Sequence, residues 1–432
     1  MTPFDIGLIA LAALLILVFA GMLVPVALML VSFLGMWAIK GSPDLGLRLM
    51  AQTANDAISN YFFGIVPLFV LMGFVVAETG MGRDAYDVAA KAFRRVRGGL
   101  GIGTVAANAV FAAITGISIA SAAVFTRVAV PQMIRHGHSP RFATGVVAGS
   151  SVLGMLIPPS LLLILYAILA EQSVGDLFVA GVLPGLLLAV LFCVLIVVGA
   201  RFRPGWQATP DEDLHADVSV LRQGGPIVLL IVLVLGGIYS GFFSPVDAGA
   251  AGSIAALLIA LAMRRLTLRS FGRILIETGL VTASICMLIV AAQIYARMLA
   301  FSGLPAGIAE FTASSGMGYW GLMLTYVLVL IIMGMILDSS SILLIVVPIM
   351  LPVVQPLGVD PIWFGILTVL TIEIGLLTPP FGLSVFVIKA TLDDPRIALY
   401  DIFRGAMPFA AVMLVVVILL LQFPWLATAL LR

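Results

Sequence analysis

Charge is what this 432-residue chain has least of. Asp, Glu, Lys and Arg make up 10% of it, against about 25% in an ordinary soluble domain. A water-exposed surface needs polar groups over its whole extent. The shortage therefore excludes a soluble enzyme, a disordered scaffold and a protein that presents a basic face to nucleic acid. Twenty-two basic residues face 21 acidic ones, so the formal net charge is only +1. Cysteine is as scarce: Cys193 and Cys286 lie inside apolar runs, with no disulfide framework and no metal-ligand spacing. The three histidines (His136, His138 and His215) fall in connecting segments. No GxxxxGK[ST] loop, HExxH, CxxC or GxSxG occurs, which removes ATP hydrolysis and the commonest hydrolase chemistries.

What fills the chain is apolar: 62% hydrophobic residues and a mean hydropathy of +1.22. These values describe an all-α polytopic membrane protein. A helix needs about 20 apolar residues to cross the bilayer core. Spans that meet or approach this run at 5–23, 26–40, 62–79, 183–202, 224–243, 246–263, 274–299 and 405–425. The first of them lacks a basic n-region and reads as a membrane helix, not a cleaved signal. Segments 139–171 and 361–389 are long enough but interrupted by Pro158-Pro159 and Pro379-Pro380. Segments 100–135 and 318–356 are apolar with a polar Gly- and Ser-containing middle, as in a re-entrant hairpin. The expectation is about ten transmembrane helices plus two such hairpins. The most polar connection, 203–222, carries Pro204, Pro210, Asp211, Glu212, Asp213 and His215 near the middle of the chain.

Basic residues collect in cytoplasmic loops. With the N-terminus outside and both hairpins re-entrant, 17 of the 22 Lys and Arg fall on the inner side. Only Lys40, Arg48, Arg297 and Arg432 fall outside or at the outer boundary, and Arg127 lies within the first hairpin. Both termini are then periplasmic in an inner-membrane protein.

The chain also resembles itself. A shift of 221 places Pro131 on Pro352, Gly137 on Gly358, Pro140 on Pro361, Gly154 on Gly375 and Pro158-Pro159 on Pro379-Pro380. A shift of 220 places Gly21, Pro25 and Val26 on Gly241, Pro245 and Val246. The matches fall on residues that fix backbone shape. The charge pattern gives the halves opposite orientations, so they read as inverted repeats: 1–203 and 224–432, joined by a cytoplasmic linker at 204–223. That architecture belongs to secondary transporters, whose midplane site is built from discontinuous helices.

Non-helical backbone at membrane depth survives only around a cavity or ligand. Four such places occur: the tip Thr115-Gly116-Ile117-Ser118-Ile119-Ala120-Ser121, the break Gly149-Ser150-Ser151-Val152-Leu153-Gly154, the tip from Gly334 to Asp338-Ser339-Ser340-Ser341, and the break from Thr371 to Thr378. A tip paired with a break offers carbonyls and hydroxyls to a small cation such as Na⁺. Half-helix N-termini at the same place favour a carboxylate. Two tip–break pairs point to two cation sites flanking one anion site, with Ser118, Ser121, Ser151, Ser339, Ser340 and Thr378 as candidate substrate contacts. Each serine also has a plainer role open to it, as hydrogen-bonding glue between helices. Asp338 is placed either to neutralise a cation or to cap the following half-helix. Glu373 is placed to couple protons or to serve as a buried structural partner. Arg127 is placed to attract a carboxylate or to snorkel to the inner surface, Arg297 to anchor the outer end of its span, and the run Lys91 to Arg97 to meet lipid headgroups.

The runs GSSVLGMLIPPS at 149–160, FAAITGISIASAAVF at 111–125, MILDSSSILLIVVPIMLPVVQPLGVDPIWFGI from 335, GLLTPPFGLSVFV to 387 and IVPLFVLMGFVVAETG at 65–80 resemble the large membrane subunit of TRAP transporters, the DctM type. The resemblance covers nearly the whole chain. It implies Na⁺-driven uptake of an organic acid, such as a C4-dicarboxylate or a sialic-acid-like carboxylate. It also implies a small four-helix membrane subunit of DctQ type and a periplasmic binding protein of DctP type. The implied fold is that of an elevator transporter: scaffold helices 5–40 and 224–263, and a transport domain holding hairpins 100–135 and 318–356 with broken helices 139–171 and 361–389. Carried over by position, Thr115, Gly116, Ser118, Ser150, Ser151 and Gly154 line one Na⁺ site, and Gly334, Asp338, Ser339, Gly375 and Thr378 line the other. Ile117 and Ile119 depart from the more Ser- and Ala-rich family pattern, so backbone carbonyls stand in for side chains there. The competing readings are a stand-alone carboxylate symporter and a channel. An enzyme would need a nucleophile, base or metal cluster at depth, and only isolated acids are found.

Overall fold

The computed structural model describes residues 1–207, 219–316, 318–392 and 394–431. Pro210, Asp211, Glu212, Asp213, His215 and Arg432 lie outside the described residues. Among those described there are helices and turns and no strand. In chain order the helices are α1 (Pro3–Phe19), α2 (Val24–Lys40), α3 (Pro43–Ile58), α4 (Ile65–Glu78), α5 (Met81–Phe93), α6 (Gly99–Thr115), α7 (Ser118–Arg135), α8 (Pro140–Ser151), the single turn α9 (Leu153–Leu156), α10 (Leu161–Ala170) and α11 (Val174–Phe202). The second half holds α12 (Val220–Ile231), which runs through a π-helical segment into α13 (Gly237–Tyr239), then α14 (Pro245–Ala262), α15 (Leu268–Ser302), α16 (Leu304–Ser314), α17 (Gly318–Gly334), α18 (Ser339–Val354), α19 (Pro361–Gly375), α20 (Leu383–Leu392), α21 (Leu399–Gln422) and α22 (Trp425–Thr428).

Many of these starts follow one chemical pattern. Thr2, Ser42, Ser139, Ser244 and Asp360 each accept a backbone N–H of the first turn, and each is followed by proline. The side chain satisfies an orphan donor, while proline supplies none and holds the helical φ. Proline inside a helix is tolerated too. Pro184 lies within α11 and Pro408 within α21, so both helices begin earlier than the apolar runs suggested. Packed neighbours can relieve the lost hydrogen bond inside a membrane protein.

Among the described residues seven helices are long and apolar enough to cross a bilayer, or eight if the pair α4 and α5, bent by 64°, is one span. α1, α2, α6, α17, α19 and α20 are shorter apolar helices. The centre belongs to the interrupted segments. Every residue from Phe142 to Leu165 is buried, as is every residue from Trp363 to Leu377. α11, α12, α14 and α15 instead expose large apolar side chains such as Leu186, Val228, Leu258 and Ile276.

Small residues let backbones meet where this centre joins its surroundings. A Cβ on Gly145 of α8 would lie 2.2 Å from the carbonyl oxygen of Gly405 on α21. A Cβ on Gly405 would lie 2.0 Å from the carbonyl oxygen of Arg141. Arg141 also donates to Asp401 at 2.8 Å, at the half-exposed end of the same contact. Replacing Gly405 by Val is expected to cost about 3 kcal/mol, because the obstructing atoms are backbone. Arg141→Ala should cost less than about 1 kcal/mol at this exposure. Thermal unfolding in detergent checks both; equal losses would contradict the close-packing account.

Candidate functional site

The two interrupted regions are built by turns that only certain residues permit. α6 ends at Thr115, and Gly116 takes the left-handed conformation (φ 63°) before α7 starts at Ser118. Glycine is needed there twice over. A side chain would be strained at that φ, and a Cβ would lie 2.4 Å from the carbonyl oxygen of Pro159. The Gly116 carbonyl accepts the amide of Leu161 at 3.1 Å. Gly154 faces the same turn, with Ile117 C and Ser118 N each 3.3 Å from where its Cβ would be. The first tip therefore lies on the first break.

The second tip meets the second break through two glycines. A Cβ on Gly334 would lie 2.8 Å from the Cα of Gly375, and one on Gly375 would lie 2.5 Å from the Cα of Gly334. The Met335 carbonyl accepts the amides of Phe381 and Gly382 at 3.3 and 3.2 Å. Both Pro-Pro bonds, Pro158-Pro159 and Pro379-Pro380, are cis. The first pair is buried and the second exposed.

The hydroxyls divide into two groups. Thr115, Ser150, Ser151 and Thr378 donate to carbonyls of their own helices at 3.0, 2.7, 2.8 and 2.7 Å. Their oxygens keep lone pairs for a ligand. Ser118 and Ser121 are both buried, and no hydrogen bond within the described residues occupies the Ser121 hydroxyl. Ser339 donates to Glu373 Oε1 at 2.7 Å, and Ser340 is half-buried. Asp338 is the N-cap of α18: its carboxylate accepts the Ser341 amide at 3.1 Å and the Ser341 hydroxyl.

Glu373, fully buried on α19, joins the two halves of the site. Ser339 from the second tip bonds it, and Ser118 from the first tip stands beside the same carboxyl group. Asn108 went unnoticed in the sequence. From the middle of α6 it donates to Ser150 Oγ at 2.6 Å and ties the first hairpin to the first broken helix. A lone amide in an apolar run was the available signal.

Other polar candidates lie elsewhere. Arg127 is exposed on α7. Arg297 donates to Thr53 Oγ1 at 2.9 Å, with Asp56 at 3.7 Å, in a cleft of about 620 Å³ between α3, α15 and the end of α10. His138, in the turn before α8, packs against Phe142, and burial with the neighbouring His136 pushes its pKa down to about 4. It is neutral at ordinary pH. Among the described residues no three His, Cys, Asp or Glu side chains come together as a metal cluster. The donor set is hydroxyl and carbonyl oxygen, which suits a hard cation better than a transition metal.

Residues 11–426 match the family described as "Tripartite ATP-independent periplasmic transporter, DctM component". The chain is 36% identical over 390 residues to the C4-dicarboxylate TRAP transporter large permease protein DctM of Pseudomonas aeruginosa, covering 90% of each chain. It is 30% identical over 412 residues to the sialic acid TRAP transporter large permease protein SiaM of Vibrio cholerae, covering 94% of each. The solved Alcanivorax borkumensis YdaH transporter shares the fold at a TM-score of 0.57 and 14% identity, over 88% of this chain and 90% of that one. With a membrane-embedded helical fold, two tip–break junctions and this relationship along nearly its whole length, the chain belongs to the DctM family as a TRAP transporter large permease subunit, a transport protein and not an enzyme.

Proposed function

We propose that this permease carries out Na⁺-driven uptake of a small organic acid, a C4-dicarboxylate or a sialic-acid-like carboxylate, across the bacterial inner membrane. The acid arrives on a periplasmic binding protein of DctP type, and a small four-helix subunit of DctQ type completes the membrane unit. The observation that carries the reading is that each tip lies on its own break, while Ser118 and Ser339 from the two tips both reach the buried Glu373. Broken helices at membrane depth are affordable only around such a site.

The order of hairpin, broken helix and long helix occurs in both halves of the chain. Together with the 221-residue sequence match, this supports two inverted repeats and periplasmic termini. In the proposed cycle the hairpins and broken helices move as a transport domain against a scaffold made from the helices at 5–40 and 224–263. Na⁺ bound at each junction supplies positive charge next to the substrate carboxylate. At the first junction the donors are Thr115, Gly116, Ser118, Ser150, Ser151 and Gly154. At the second they are Gly334, Asp338, Ser339, Gly375 and Thr378. Ser118, Ser121, Ser151, Ser339, Ser340 and Thr378 face the substrate. α7 and α18 begin at Ser118 and Ser339, so their amide ends add a positive field.

An inward Na⁺ gradient imposed on proteoliposomes holding this chain, the small subunit and the binding protein is expected to drive accumulation of the acid. Uptake indifferent to that gradient would remove the coupling. Uptake that proceeds equally without a binding protein would favour a stand-alone symporter.

Asp338 allows a sharper test, because its carboxylate already caps α18. Asp338→Ala should lower stability by about 1 kcal/mol through loss of the cap and reduce uptake. Asp338→Asn, which can still cap, should keep at least about half of the wild-type rate if capping is the main role. Loss of uptake in both variants with stability intact in the Asn form would assign the charge itself to a cation.

A further inference from the structure

The ends of α8, α11 and α21 bring three arginines to one recess. Arg141 lies in the first turn of α8, Arg203 follows α11, and Arg404 lies in the second turn of α21. All three are exposed, and with Trp206, Met407 and Ala411 they line a cavity of about 650 Å³. Arg141 is paired with Asp401 at 2.8 Å. Arg203 lies over the Trp206 ring at 5.2 Å, and Arg404 over the Tyr400 ring at 5.3 Å. No ion pair reaches Arg203 or Arg404 among the described residues. An aromatic ring holds a guanidinium without cancelling its charge. Three arginines against one aspartate therefore leave two positive charges at the recess.

The wall of the recess is fixed by packing. Trp206 is buried, 4.6 Å from the Phe142 ring and 6.4 Å from the Phe409 ring, nearly parallel to the latter at 12°. Its ring fits because residue 199 is glycine: a Cβ there would lie 2.2 Å from it. The Gly205 carbonyl accepts the Ser139 amide at 2.9 Å, which fastens the turn bearing Arg203 and Trp206 to the start of α8.

Guanidinium groups presented together suit the oxygens of a phosphate. A phospholipid headgroup and free inorganic phosphate both supply them, and α21 favours the lipid. Beyond Arg404, the residues at i+3, i+7, i+10 and i+14 are Met407, Ala411, Leu414 and Ile418, all exposed and all apolar. These spacings share one helix face. The stripe runs about 21 Å along the helix, against about 15 Å of hydrocarbon in one leaflet. A cationic head above an exposed apolar stripe is the complement of an anionic amphiphile. The same three arginines are among the basic residues that the charge pattern assigns to the inner side.

We propose that Arg141, Arg203 and Arg404 hold the phosphate of an anionic phospholipid of the inner leaflet, with an acyl chain along Met407, Ala411, Leu414 and Ile418. The headgroup ties together the ends of three helices that lie far apart in the chain. The site shares no residue with the tip–break junctions, so it stands or falls apart from the Na⁺-coupled reading.

Native mass spectrometry of the purified, delipidated chain in detergent, offered equimolar phosphatidylglycerol and phosphatidylcholine of distinguishable mass, tests the site. Wild type is expected to retain one phosphatidylglycerol in preference to phosphatidylcholine. The double variant Arg203→Ala, Arg404→Ala is expected to lower that preference at least about tenfold, while Arg201→Ala, outside the recess, keeps it. Absence of a preference in wild type, or an equal loss in Arg201→Ala, overturns the site. Should the double variant fail to fold, Arg203→Gln is measured instead, with an expected loss of about fivefold; an unchanged preference overturns the proposal. Thermal unfolding separates the two phosphate sources. Phosphatidylglycerol is expected to raise the melting temperature, and inorganic phosphate at equal concentration to leave it unchanged. Stabilisation by phosphate equal to that by the lipid assigns the recess to a soluble anion and overturns the lipid.

Discussion

Hydrocarbon offers no hydrogen bonds, so every backbone amide and carbonyl at membrane depth must find a partner within the protein. This structure interrupts its central helices and bridges each interruption with backbone hydrogen bonds. The Gly116 carbonyl takes the amide of Leu161 across the first junction, and the Met335 carbonyl takes two amides across the second. Each tip needs its break, and each break needs its tip. The glycines at 116, 334 and 375 follow from that pairing, since the partners approach too closely for side chains. The cation and anion chemistry proposed here uses what the pairing leaves over: hydroxyl oxygens, helix ends and one carboxylate.

The division of the chain into enclosed and lipid-facing parts follows from the same demand. Interrupted helices cannot face lipid, so residues 142–165 and 363–377 occupy the centre. Continuous helices such as α11, α12 and α15 satisfy their own backbones and can surround them. Their outward Leu, Val and Ile side chains are compatible with acyl chains and with the helices of another membrane subunit alike.

Much of this was legible because proline, glycine and charge act locally. Pro158-Pro159 and Pro379-Pro380 marked the breaks, and the Gly-Ser tips marked both hairpin turns. Helix limits were less visible. The apolar runs began at 183 and 405, whereas α11 and α21 start at Val174 and Leu399 and run through Pro184 and Pro408. The joining of the tips at Glu373 was not legible at all. Glu373 lies 34 residues from Ser339 and far from Ser118 in the chain, and no local rule brings the three together. Asn108 escaped for a similar reason: its partner, Ser150, is 42 residues away. The apolar run around it gave no periodic signal.

The contact between Gly145 and Gly405 carries a kinematic consequence. Two helices whose backbones touch behave like meshed teeth. Sliding α21 along α8 by a single turn would bring the larger Phe142 or Phe409 against backbone that now accommodates only hydrogen atoms. The pair can translate or rotate only as one rigid piece. Any large displacement in this protein must therefore use a smoother boundary, where bulky apolar side chains hold backbones apart and leave shallow, repeatable grooves.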